Sequence, residues 1–140
     1  MATDFLLGCT YNFLQKDVEV PPLTRFEMVR ETGVFDYINW LPKSDQLSAC
    51  VAASEKTGIP MLTGNYIHQL GLNDEMLAET MRNAARAGVK MVNVMLGTYA
   101  ADGHELTDDE IIDTYLRTAE IGDEVGVALS FELHVDCWSE

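Results

Sequence analysis

Val127-Ala128-Leu129-Ser130-Phe131-Glu132-Leu133-His134-Val135-Asp136 decides the fold. Its odd positions are Val127, Leu129, Phe131, Leu133 and Val135, and its even positions are Ala128, Ser130, Glu132, His134 and Asp136. Side chains of a strand alternate between faces, so one face here is wholly apolar. The other turns from small to ionisable towards its end. A parallel strand buried in an open sheet is apolar on both faces. A barrel strand accounts for the split: its outer face packs on helices, and its inner face becomes polar at the C-terminal mouth, where barrel chemistry sits. A half-exposed strand with solvated Glu132, His134 and Asp136 is the competing reading.

Upstream, one pattern repeats: a short apolar, partly β-branched run, a turn, an amphipathic stretch, then Gly. The runs fall at 5–11, 34–40, 59–66 and 89–96, with 127–136 as the fifth. Between them, Thr24-Arg25-Phe26-Glu27 reads as a capping box for a helix stopping near Gly33. Ser44 and Asn73 are expected to cap helices that stop at Gly58 and Gly88. Leu77, Met81 and Ala84 form one stripe. Thr107-Asp108-Asp109-Glu110 is a second capping box, and Ile112, Tyr115, Leu116 and Ala119 are read as the apolar face of its helix. Strands alternating with helices imply a parallel sheet. Cys9-Thr10-Tyr11-Asn12-Phe13 carries none of the glycines of a dinucleotide-binding turn. The expected fold is therefore α/β, a partial TIM (β/α)8 barrel of five parallel strands in order 1-2-3-4-5 with helices on the outer face. A closed barrel needs roughly 200 residues or more. The 140 residues are accordingly expected to form a single, C-terminally truncated barrel domain, 1–140. Open first and fifth strands would then be points of self-association.

Composition narrows the partners. The net charge is −14, which counts against a nucleic-acid backbone and suits a cation where carboxylates converge. No apolar run is long enough for a bilayer, and no signal-peptide pattern opens the chain. A cytoplasmic location is expected, with no membrane partner. Three scattered cysteines make no disulfide framework.

Phe131-Glu132-Leu133-His134-Val135-Asp136-Cys137-Trp138, with Val34-Phe35-Asp36-Tyr37-Ile38 and the Gly-Asp-Glu-Val-Gly of residues 122–126, resembles the xylose-isomerase-like TIM-barrel superfamily of sugar phosphate isomerases and epimerases. The resemblance implies that Glu132, at the end of the fifth strand, is a ligand to a divalent metal ion. Mn²⁺ or Mg²⁺ is favoured, with Zn²⁺ or Co²⁺ open. It implies further ligands from strands six to eight. Glu132 and His134 are the candidate catalytic residues, His134 as ligand, substrate contact or partner of Glu132. His68 follows the third strand where some members place a functional histidine, and a plain loop histidine is the alternative. Asn39 stands where many members carry a glutamate. Parity adds Asn93 as a substrate contact or structural amide. Trp40 and Tyr11, at strand ends, are candidate apolar walls for a sugar's C–H face, or core. The function implied is metal-dependent isomerisation or epimerisation of a sugar or sugar phosphate through an enediolate. A non-catalytic binding or scaffold barrel is the alternative. Phosphodiester hydrolysis of the apurinic endonuclease type fits less well with three histidines and this charge. Whether the 140 residues are an enzyme by themselves stays open.

Overall fold

The computed structural model describes residues 5–13 and 20–131. Five strands form one parallel sheet in the order β1-β2-β3-β4-β5. They are β1 (Gly8–Thr10), β2 (Tyr37–Asn39), β3 (Met61–His68), β4 (Met91–Leu96) and β5 (Ala128–Phe131). Four helices lie on the outer face: α1 (Pro22–Thr32), α2 (Leu47–Thr57), α3 (Asp74–Arg86) and α4 (Asp108–Val125). This is the partial barrel expected from the sequence.

Register sorts every side chain to a face. Parallel partners point the same way, so Gly64, Val92 and Leu129 form one row, and Tyr66, Val94 and Phe131 the next. His68 and Leu96 form a third. These rows meet the helices: Val92 and Val94 are buried in one core cluster with Leu77, Met81 and Ala84 of α3. The opposite, concave face carries Thr10, Asn39, Thr63, Met91 and Ala128 in one row. Asn65, Asn93 and Ser130 form the row nearer the strand ends. Phe131 rests on Tyr115 of α4, ring centroids 4.0 Å apart, which sets the outward parity expected for odd positions of β5. Glu132, Leu133, His134 and Asp136 lie outside the described residues.

Several local expectations are corrected. Pro22 opens α1, so Thr24 is inside the first turn and is no cap. Proline at the first helical position is pre-organised there and loses no needed N–H. Ser44 sits in a turn ahead of α2, whose N-cap is Gln46. Asn73 is the N-cap of α3, but its side chain ties down the preceding loop, accepting from Gln69 N and donating to Ile67 O. The Thr107–Glu110 capping box is present in full. On α4 the buried residues are Ile111, Thr114, Thr118 and Gly122, while Ile112 and Leu116 are exposed. The inward face is rotated from the expected stripe because two threonines return their hydroxyls to the helix. Thr114 donates to Glu110 O and Thr118 to Thr114 O, so both pack as small apolar groups. β3 runs two residues past its expected end and takes in His68.

Candidate functional site

The concave row at the strand ends is neutral and polar. Asn65, Asn93 and Ser130 are neighbours on β3, β4 and β5. Ser130 Oγ donates to Asn93 Oδ1 at 2.8 Å, which orients the amide. Asn93 therefore lies on the face expected of a substrate contact. The register also accounts for why the alternation begins with Ala128 and Ser130: small side chains leave the concave side open, and Ala128 is exposed.

β2 ends at Asn39, whereas β3 continues to His68. The difference opens a groove of about 660 Å³ over the end of β2. Thr10 and Asn12, Asn39 and Trp40, and Asn65 and Tyr66 line it from the sheet. The loop after β2 and Met76, Glu79, Thr80 and Asn83 of α3 line the far side. Asn83 Nδ2 donates to Ser44 Oγ at 2.8 Å, and Ser44 in turn donates to Glu79. That chain of bonds joins the turn before α2 to α3. Leu41 reaches over Gly64, where a Cβ would stand 2.3 Å from its side chain, so only glycine fits beneath it.

The aromatic candidates are partly absorbed by packing. Tyr11 is buried, stacks on Trp40 at 4.2 Å and meets Phe26 of α1 edge-on. Arg25 lies over its ring and donates to its carbonyl at 2.9 Å. Burial pushes the Tyr11 phenol up to about 12, so it stays protonated. Trp40 is half-buried and lines the groove, and its Nε1 has no partner among the described residues.

His68 points away from the concave face. It is 2% exposed, shares the Leu96 row, and places Nε2 3.2 Å from Asp74 Oδ1 at the start of α3. Thr114, Arg117 and Thr118 of α4 line the small void beside it, about 30 Å³. Burial lowers its pKa, partly opposed by Asp74, so a neutral ring is favoured. His104 is the opposite case. It is solvent-exposed and set between Asp102 (2.6 Å) and Glu110 (3.1 Å), whose hydrogen bonds raise its pKa. It braces the loop between β4 and α4.

Among the described residues no group of three or more His, Cys, Asp or Glu could hold a metal ion. The described part of the mouth offers amides and hydroxyls, a donor set that suits uncharged oxygens and does not fit a divalent cation by itself. Parity also puts Asn65, at the end of the third strand, among the inward residues; sequence reasoning missed Asn83, and Ser44 in any role but a cap. Their signal would have been the early stop of β2, which the sequence hides because the run 34–40 stays rich in apolar and aromatic residues up to Trp40.

No family model and no curated protein matches the chain. Solved structures do. The chain is similar to the 3-keto-D-glucoside 4-epimerase YcjR from E. coli (TM-score 0.70, 15% identity, 96% of this chain and 58% of that one). It is similar to the D-psicose 3-epimerase from Clostridium cellulolyticum H10 (TM-score 0.71, 13% identity, 92% and 52%). It also resembles IolI, solved with a bound zinc atom (TM-score 0.65, 18% identity, 95% and 54%). At these identities the likeness is one of fold. The fold is a partial TIM barrel. The chain spans somewhat more than half the length of these proteins. Among the described residues, no helix is long and apolar enough to cross a membrane.

Proposed function

We propose that this chain forms the first five units of a metal-dependent isomerase or epimerase acting on a sugar or sugar phosphate. The observation that carries the reading is the Asn65–Asn93–Ser130 row, whose amides and hydroxyl stand side by side on the concave face at the strand ends. Such groups bind substrate hydroxyls and orient the carbon skeleton without a charge to desolvate. Strand alternation past Phe131 would carry Glu132 to that same face. In this reading Glu132 binds a divalent ion, Mn²⁺ or Mg²⁺ before Zn²⁺ or Co²⁺, and His134 is its neighbour as ligand or proton carrier. The remaining ligands belong to strands six to eight. Bound there, the ion would act as a Lewis acid towards an enediolate. The distant likeness to two epimerases and to the zinc-binding IolI supports the reading. Open edges at β1 and β5 make self-association part of it.

Mn²⁺ calorimetry on the 140-residue chain tests it against Glu132→Gln. One carboxylate with a neighbouring histidine gives weak binding, and the substitution is expected to abolish the specific component. Identical isotherms for the two proteins would remove Glu132 from the metal and with it this function.

A further inference from the structure

We propose that the groove at the end of β2 binds the non-reacting ring of a neutral disaccharide-sized substrate. The inference rests on the carbohydrate reading above and extends it to substrate size and charge. Its first ground is backbone. The carbonyls of Leu62 and His68 accept from the β4 side, from Lys90 N at 2.8 Å and Gly97 N at 2.9 Å. The Thr63 carbonyl accepts from Trp40 N, on the β2 side. Alternation therefore directs the peptide N–H and C=O of Asn65 towards β2, which has already ended at Asn39. The groove occupies that vacated place on the strand ladder. A ligand seated there meets a main-chain donor and acceptor in addition to the Asn65 and Asn39 amides.

The second ground is the character of the walls. Trp40 supplies an aromatic surface, and Asn12, Asn39, Asn65, Ser44 and Asn83 supply neutral hydrogen-bonding groups. A sugar presents the same alternation of C–H patches and hydroxyls. The charged lining residues are Lys43 against Asp45 and Glu79, so an anionic group gains no net attraction. The volume of about 660 Å³ falls within the roughly 300–1,000 Å³ of small-molecule sites.

The third ground is distance. Strands stand about 4.8 Å apart, so the end of β2 lies roughly 14 Å along the sheet from the end of β5. Measured along the sheet, that separation exceeds the width of one hexose ring. Two linked rings span the separation, passing over Asn65, Asn93 and Ser130.

The test uses the 140-residue chain in EDTA, so that it is independent of any metal. The chain has two tryptophans, Trp40 and Trp138, and their indole N–H resonances are assigned with Trp40→Phe. Maltose, cellobiose, sucrose, glucose and glucose 6-phosphate are titrated in turn. The expected result is a saturable shift of the Trp40 resonance with at least one disaccharide. Glucose and glucose 6-phosphate should bind at least about fivefold more weakly. Asn65→Ala and Ser44→Ala, checked as folded by their amide spectra, should each weaken the disaccharide several-fold. No saturable shift with any disaccharide would overturn the proposal. So would glucose or its phosphate binding as well as the disaccharides, or both variants titrating as wild type. Identical Mn²⁺ isotherms for wild type and Glu132→Gln, with the groove still occupied by disaccharide, would locate the failure in the catalytic reading instead.

Discussion

The two faces of one sheet obey different rules. On the convex face, Val92, Val94 and Leu96 are all but fully buried beneath α3 and α4. On the concave face, one residue along the same strands, Met91 is 40% exposed and Ile67 of β3 is 66% exposed. Burial selects volume on the first face, because close packing penalises every missing methylene. It leaves the second free to choose residues by their hydrogen bonds. The comparison teaches that chemistry here is found by parity and exposure, and that a titratable residue on the convex face is structural however functional its type. His68 is the example.

The largest separation between the faces is expected in stability. Met81 is wholly buried against the convex row, so Met81→Ala should cost about 2–5 kcal/mol in urea unfolding. A loss below about 1 kcal/mol would mean that α3 is not seated on the sheet as described.

A second effect should appear with pH. Burial lowers the folded pKa of His68 below its ordinary 6.5, so the neutral ring is the form compatible with the fold. Its contribution is fully present above about pH 6.5 and is lost as pH falls through the lowered folded value. The groups facing it are Asp74 of α3 and Arg117 of α4, of which Asp74 favours and Arg117 opposes the proton. His104 runs the other way, since its raised pKa stabilises below the ordinary value and fades as pH rises through the folded one. Between pH 7 and 5, urea unfolding is expected to lose less stability, or gain more, in His68→Gln than in the wild type. Proton NMR should show His104 titrating above 6.5. An unchanged slope in His68→Gln would release His68 from the helix layer.

The smallest effect belongs to the concave face. Asn93→Ala removes the hydrogen bond from a half-buried Ser130, a bond worth about 0.5–1.5 kcal/mol, and creates no cavity under a helix. Thermal or urea unfolding measures it, and a cost equal to that of Met81→Ala would place Asn93 in the core.

Strand order, helix count and the outward parity of β5 were legible in the sequence because each rests on a local period. The capping box at Thr107 was legible for the same reason. The stripe on α4 was misjudged because Thr114 and Thr118 are polar by composition and buried through bonds to their own helix. From sequence His68 reads as lying just past the third strand because the apolar run closes at Asn65-Tyr66, whereas its burial is decided by α3 and α4. The site was legible only in part. Asn93 lies on the concave face as parity requires, and Trp40 lines the groove, but the groove arises from the unequal lengths of β2 and β3. That is a tertiary fact with no signature in either strand.

The central claim is that the concave strand ends of β4 and β5 lead to a metal-binding carboxylate at Glu132. Substoichiometric Mn²⁺ added to ¹⁵N-labelled chain tests it most directly, through paramagnetic broadening of amide signals. The expected result is broadening centred on Ser130, Phe131 and Asn93 that disappears in Glu132→Gln. Broadening centred instead on the exposed Asp102–His104–Glu110 cluster, and unchanged in Glu132→Gln, would contradict it.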